Sequence, residues 1–237
     1  MNSPSLTALS LKTQFLSLLS TSNLTTEEER VTQSSPTPSL AESWWVRLCE
    51  HYAEDGRHYH TLDHIAAMFR LFSTYKSKLT SHEAVGWAIF FHDVIYNPKA
   101  GDNEEQSAEL FRSFAGECLM DSDTELVQEV DRLIRLTKMH STEAHQVSGM
   151  YGSSDEHYFL DFDMQVLGLP ETEYACYAQK IRAEYIHVPE MQYRTARAQI
   201  LKEFLKTPNI FATQDFRELY EIQARDNIKR EIQQLES

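Results

Sequence analysis

The sequence has little glycine and little cysteine. Seven glycines among 237 residues favour helices over a β-sandwich or a β-barrel, which need many tight turns. The three cysteines, Cys49, Cys118 and Cys176, lie far apart and include no Cys-x-x-Cys pair. Neither a disulfide framework nor a thiolate zinc site is therefore indicated, and we expect all three to be thiols of the core.

Long apolar runs and a basic surface are also missing. No run approaches membrane-spanning length, and the N-terminus lacks the basic start and continuous apolar centre of a signal peptide. We therefore expect a cytoplasmic protein with no membrane partner. The net charge of -14 disfavours a nucleic-acid polymer as partner, because a phosphate backbone requires a basic surface. A small phosphorylated substrate is compatible with this charge, since it needs only a local cluster of cations. No pattern indicates an oligomeric state.

The composition divides the chain near residue 38. Residues 1–38 are predicted to be a flexible segment, because the stretch from about Thr21 to Pro38 is rich in Ser, Thr and Pro. One short amphipathic helix could form within it from Leu9, Phe15, Leu16, Leu18 and Leu19. Residues 39–237 can bury one core and show helical periodicity without a β-hairpin signal or a repeat. We predict an all-α fold in which these residues form a single domain of about eight or nine helices.

An apolar helix is predicted to end at a histidine and an aspartate. Its apolar positions recur at helical spacing at Ala84, Val85, Ala88, Ile89 and Phe91. His92 and Asp93 follow directly. Burying an unpaired carboxylate costs roughly several kcal/mol, whereas a divalent cation turns that cost into a binding interaction. The pair therefore indicates a metal site; for an isolated dipeptide the alternative is a His–Asp hydrogen bond at a helix end.

Two further stretches carry the same types of donor. Upstream, His60 and His64 are four residues apart, a spacing that predicts one face of one helix. Downstream, Asp161 and Asp163 lie on another stretch of helical periodicity. Neutral imidazole and carboxylate together bind borderline and hard divalent cations such as Mn, Mg, Fe, Co or Zn.

In this order the motifs resemble the HD-domain superfamily of metal-dependent phosphohydrolases, in particular a branch usually described as predicted HD phosphohydrolases. The likeness spans roughly residues 40–235 and includes Asn103, Glu104, Ser107, Thr137, Lys138, His140, Leu167 and Gly168. It implies an HD-domain-like helical bundle around a metal site with one or two divalent ions per chain. The implied reaction is hydrolysis of a phosphate ester or anhydride, of a nucleotide or another small phosphorylated metabolite, by water that the metal activates. The alternative is a non-catalytic metal-binding module for ligand sensing or regulation.

The resemblance implies His64, His92, Asp93 and Asp163 as metal ligands, with Asp93 able to bridge two ions and so take part in catalysis. Cyclic-nucleotide phosphodiesterases carry a similar Tyr-His-Asn-x-x-His-Ala motif, in which the second histidine binds metal and the first is a general acid. By that alignment His60 is the acid here, although Thr61 stands in place of the asparagine. The alternative is the Arg-x-x-His of deoxynucleotide triphosphohydrolases, which would make His60 the ligand and Arg57 a phosphate contact.

The remaining site candidates are polar residues with two interpretations each. In the family's Asp-x-Asp the second aspartate normally binds, so Asp161 is expected to support a ligand or cap a helix. Lys138 and His140 could hold a phosphate or complete a second metal site, or could simply complement a helix C-terminus. Glu104 could orient a metal-bound water, or be one of the acids common in a first helical turn. The other six histidines are expected to be structural: His51, His58, His82, His145, His157 and His187.

Overall fold

A computed structural model describes residues 5–22, 38–119 and 125–237. Across these residues the chain is helical, with no β-strand and one isolated β-bridge between Gly152 and Thr213. The predicted all-α class is confirmed. Most of the predicted Ser/Thr/Pro-rich stretch, residues 23–37, lies outside the described residues.

The described residues form twelve α-helices, eleven of them after residue 37, a number roughly compatible with the eight or nine expected for residues 39–237. They are α1 (Leu6–Ser22), α2 (Pro38–Tyr52), α3 (Leu62–Tyr75), α4 (His82–Phe91), α5 (Asn103–Cys118), α6 (Glu125–Leu136), α7 (Glu143–Gln146), α8 (Asp155–Met164), α9 (Glu171–Glu184), α10 (Glu190–Lys206), α11 (Gln214–Phe216) and α12 (Ile222–Glu236). Short 3₁₀ turns span Lys76–Lys78 and Gln165–Gly168. A π-helical turn, Arg217–Glu221, joins α11 to α12 in one continuous helix. Part of the excess is α7, a single turn in a stretch without apolar periodicity.

The helices pack into two compact units. The first comprises the described parts of Met1–Lys76 and Ser81–Lys138, and the second comprises Ser77–Thr80 and Met139–Ser237. The single domain expected over residues 39–237 stays a prediction. Among the described residues, no helix combines the length and apolarity needed to cross a bilayer.

Helix α1 is part of the aromatic core of the first unit. Phe15 is 0% exposed, and its ring lies among those of Trp45, Trp87, Phe90 and Phe114, at centroid distances of 5.8, 5.4, 5.7 and 5.6 Å. Residues of the N-terminal stretch that was predicted to be flexible thus bury apolar surface against three other helices.

Helix α4 is buried along most of its length and carries the candidate metal ligands at its C-terminal end. Every residue from Ala84 to Phe91 is buried. The Ser81 hydroxyl caps the helix by accepting a hydrogen bond from the Ala84 N–H at 3.2 Å. The preceding residue, Thr80, donates its N–H to Asp155 Oδ1 at 2.7 Å.

The second unit has a polar component in its core. Arg197 Nε lies 2.9 Å from Glu231 Oε1, and the buried Tyr174 hydroxyl donates a short hydrogen bond to the same carboxylate. This network joins α9, α10 and α12. The expectation of three core thiols is correct only for Cys118, which is buried, because Cys49 is half-buried and Cys176 on α9 is exposed.

Candidate metal centre

Thr61 determines where α3 begins and separates the two upstream histidines. Its hydroxyl accepts a hydrogen bond from the Asp63 N–H at 3.3 Å, and the helix begins at Leu62. His64 therefore lies in the first turn, 5% exposed, whereas His60 precedes the helix. The prediction that the two histidines share one helix face is wrong because this cap shortens the helix, although their ring centroids are 6.2 Å apart.

The ring of His92, at the end of α4, bonds the backbone through its Nδ1. The residue is 1% exposed, and its Nδ1 lies 3.1 Å from the carbonyl oxygen of Ile89. A carbonyl oxygen only accepts, so Nδ1 carries the proton and donates it. In the neutral ring Nε2 then keeps its lone pair, the arrangement seen in metal-binding histidines whose other nitrogen donates to a carbonyl.

Two imidazole nitrogens and one carboxylate oxygen meet in the first unit. Nε2 of His64 and Nε2 of His92 are 3.2 Å apart. Oδ2 of Asp93 lies 3.0 Å from His92 Nε2 and 3.9 Å from His64 Nε2.

Two of these separations, 3.2 and 3.0 Å, fit donors of one shared ion. Donors at about 2.1 Å from an ion lie about 3.0 Å apart in an octahedral site and about 3.4 Å apart in a tetrahedral one. His64 and His92 are thus donors that could hold a metal ion, with Asp93 beside them.

His60 lies at the edge of this group. Its Nε2 is 3.9 Å from Asp93 Oδ2. Its ring packs on Tyr96 with centroids 4.1 Å apart and an interplanar angle of 30°, and it meets Tyr59 edge-on at 5.0 Å. Two tyrosines therefore restrict the orientation of an imidazole that stands next to the candidate ligands.

Arg57 lies behind the site. Its side chain is almost completely buried, and it donates hydrogen bonds to the backbone carbonyl oxygens of Asp93 at 2.6 Å and Val94 at 2.7 Å. It also donates to the carbonyl oxygen of His60 at 3.3 Å. The guanidinium thus lies next to two of the site candidates, His60 and Asp93, but it bonds their backbone carbonyls and not their side chains.

Lys138 and Glu104 lie near the start of α5. Lys138 Nζ is 2.6 Å from Glu105 Oε1 and donates to the carbonyl oxygen of Gly101 at 3.0 Å. The hydrogen bond between Lys138 and Glu105 raises the pKa of the lysine and lowers the pKa of the glutamate. Glu104 is half-buried in the first turn of α5. The structure pairs Lys138 with an acid of that turn, Glu105, which the sequence interpretation did not single out.

The remaining candidates belong to the second unit. His140 Nε2 lies 2.8 Å from Asp163 Oδ2 on α8. Asp161 is completely buried, and its carboxylate accepts hydrogen bonds from the Ala212 N–H at 2.7 Å, the Thr213 N–H at 2.8 Å and the Thr213 hydroxyl at 2.6 Å. Burial raises the pKa of Asp161 to about 7, while the hydrogen bonds to its carboxylate act in the opposite direction. Asp161 therefore anchors residues 212–213, the segment that leads into α11.

Sequence reasoning missed three residues around these candidates. Tyr96, which packs on His60, stands three positions after Asp93, and only its closeness in the sequence could have pointed to it. Glu105 was passed over in favour of its neighbour Glu104. Thr213 is the N-cap residue of α11, because its hydroxyl also accepts from the Phe216 N–H. A threonine is a typical cap, but nothing local in the sequence connects this one to Asp161.

No family model, no curated protein and no solved structure matches this chain. The interpretation of the site therefore depends on the geometry of its residues and on the ordered motifs of the sequence.

Proposed function

We propose that this protein is a metal-dependent phosphohydrolase of the HD-domain type, acting on a phosphate ester or anhydride of a small metabolite. The observation that carries the proposal is the meeting of His64 Nε2, His92 Nε2 and Asp93 Oδ2 at separations of 3.2, 3.0 and 3.9 Å. Two buried imidazole nitrogens this close to each other and to a carboxylate are the donor set that a divalent cation selects.

The proposed ligand set is completed by Asp163, whose inclusion rests on the ordered pattern of the sequence. Within the second unit, His140 Nε2 lies 2.8 Å from Asp163 Oδ2. Because a carboxylate only accepts, His140 donates this hydrogen bond and orients the proposed ligand. That role replaces the phosphate contact considered for His140. One or two divalent ions, when bound, would supply Lewis-acid activation of water and neutralise charge on phosphoryl oxygens.

His60 is proposed as the general acid. It lies outside α3, its side chain is less buried than that of His64, and its Nε2 is 3.9 Å from Asp93 Oδ2. A histidine at the edge of the donor group can give a proton to the leaving oxygen of a phosphate ester without being a ligand. The packing of Tyr96 on its ring supports the same assignment, because proton transfer requires a fixed orientation.

The test is metal analysis combined with a hydrolysis screen. Protein as purified is analysed for metals. Metal-reconstituted protein is then assayed on phosphate monoesters, nucleoside triphosphates and cyclic nucleotides, with the products separated by chromatography, because opening a cyclic nucleotide releases no free phosphate. We expect bound metal, and hydrolysis that a chelator abolishes.

Two histidines of the first unit provide the matched pair of variants. His92→Ala is expected to lose both metal and turnover. His82→Ala removes a histidine at the start of α4, whose Nε2 instead lies 2.8 Å from the carbonyl oxygen of Lys76, and is expected to keep both. Equal metal content in the two variants would contradict the proposal. Metal binding without turnover on any substrate would instead favour the non-catalytic sensing module.

A further inference from the structure

Arg57 is a buried arginine that bonds the backbone on both sides of the candidate metal centre. The residue is 8% exposed. Nη1 donates to the carbonyl oxygens of Asp93 and His60, and Nη2 donates to that of Val94. One rigid planar group therefore connects the turn before α3 to the turn after α4.

The hydrogen-bond donors of this guanidinium are fully used. A guanidinium has five N–H donors, one on Nε and two on each terminal nitrogen. Besides the three backbone carbonyls, Nε and Nη2 both donate to Glu54 Oε2, at 3.2 and 3.0 Å. These five contacts account for all five N–H groups. In this arrangement Arg57 has no donor left for a phosphate.

Two tyrosine rings also lie beside the guanidinium. Its Cζ lies 5.3 Å from the ring centroid of Tyr52 and 5.5 Å from that of Tyr96, distances at which a cation is attracted to the ring. Tyr96 is the ring that packs on His60. Arg57 thus supports both the backbone of His60 and the side chain that orients its imidazole.

We infer that Arg57 is a positioning residue, which fixes His60 relative to Asp93 and does not contact substrate phosphate. The inference rests on the proposed function for the roles of the two residues that it positions. An arginine is required to hold His60 in place relative to Asp93, because lysine offers three donors on a flexible stem and cannot bond three carbonyls and a carboxylate from one plane.

The two possible roles of Arg57 predict different kinetics. If Arg57 positions the site, Arg57→Lys lowers kcat, weakens metal binding by about tenfold or more, and leaves KM nearly unchanged. If Arg57 contacts phosphate, the same substitution raises KM and leaves metal binding unchanged.

Arg225 of the second unit provides a matched control. Its Nε donates to Glu221 at 2.8 Å, and its terminal nitrogens donate to the carbonyl oxygens of Leu205, Thr207 and Pro208 at 3.3, 3.0 and 2.9 Å. It is thus bonded, like Arg57, to one carboxylate and three backbone carbonyls, in a segment that contains no candidate ligand. Arg225→Lys is expected to lose comparable stability and to keep the metal affinity of the wild type.

The experiment titrates Co²⁺ into wild type, Arg57→Lys and Arg225→Lys below the melting transition of each, following the visible absorption of the bound ion. It then measures kcat and KM on phenyl phosphate. We expect weaker Co²⁺ binding and lower kcat for Arg57→Lys only. If Arg57→Lys does not fold, Glu54→Gln loosens the same guanidinium from its exposed side and should change both quantities in the same direction by less.

Two outcomes would contradict the positioning role of Arg57, and a third would contradict the proposed function. Wild-type Co²⁺ affinity in Arg57→Lys with a raised KM would overturn it and make Arg57 a phosphate contact. Equal loss of affinity in both lysine variants would also overturn it, because the effect would then follow stability. Wild-type protein that binds no Co²⁺ would overturn the proposed function instead. In that case the positioning role of Arg57 is tested in metal-free protein by NMR. The role requires that the ring-proton resonances of His60 shift in Arg57→Lys and not in Arg225→Lys.

Discussion

Replacing Phe15 by alanine should substantially destabilise the first unit. The side chain is 0% exposed and lies against four aromatic rings. Phe→Ala substitutions in a core cost about 3–5 kcal/mol, from lost transfer free energy and from the cavity left behind. Rigid aromatic neighbours close such a cavity poorly, so we expect the upper half of this range. In a chain of this length 4 kcal/mol corresponds to a fall in Tm of roughly 8–16 °C.

Tryptophan fluorescence during urea unfolding is the suitable assay. The three tryptophans of the chain, Trp44, Trp45 and Trp87, all lie in the first unit, so their emission reports on the unit that contains Phe15. Leu9→Ala is the control on the same helix, because Leu9 is 47% exposed, and it should change the free energy of unfolding by about 0.5 kcal/mol or less. A loss below about 1 kcal/mol for Phe15→Ala would refute the packing of α1 into this core.

Three further predictions address the histidines and the buried aspartate. His64→Ala should be purified with little metal and should regain activity in excess metal. His60→Ala should keep its metal and be slower by roughly a hundredfold, and it should recover most on p-nitrophenyl phosphate, whose leaving oxygen needs no proton. Elemental analysis and steady-state kinetics distinguish this outcome from the opposite one, in which His60→Ala loses metal and His64→Ala keeps it. Asp161→Asn should cost about 2–4 kcal/mol, because the amide nitrogen cannot accept from the donors that face it; chemical denaturation measures the loss, and wild-type stability would contradict the anchoring role. Burial lowers the pKa of His145 to about 4, so the unfolded chain binds an extra proton between pH 6.5 and 4, and stability should fall as pH decreases through that window. His145→Asn, which offers the Thr142 N–H another acceptor, should lose less stability over the same range; an identical pH profile would contradict the prediction.

The fold class was predictable because helical periodicity is a local property of the sequence. The apolar run of α4 and the helical periodicity around Asp161 and Asp163 are each contained within a single segment. The beginnings of α3 and α4 were less predictable, since a helix can start at any of several neighbouring hydroxyl residues. At Thr61 this choice places His60 outside the helix, and at the start of α4 the cap is Ser81, although Thr80 next to it also carries a hydroxyl.

The site was predictable in its residue types but not in its contacts. His64 and His92 are 28 residues apart, and no spacing rule brings them to 3.2 Å; the ordered motifs alone suggested the pair. The donors of Arg57 go mainly to backbone carbonyls, which leave no trace in the sequence, so the only role that the sequence suggested for this arginine was the phosphate contact of the alternative alignment. Asp161 and Asp163 are the same residue type two positions apart. The role of Asp161 depends on residues 212–213, more than fifty positions later.

Anomalous diffraction from crystals of Mn²⁺-loaded protein tests the metal centre most directly. We predict an anomalous peak about 2.0–2.3 Å from His64 Nε2, His92 Nε2 and a carboxylate oxygen of Asp93, with the Nδ1 of His92 still bonded to the carbonyl oxygen of Ile89. A well-ordered structure with no peak between the two imidazoles, or with manganese bound only at surface carboxylates, would contradict the proposed metal centre.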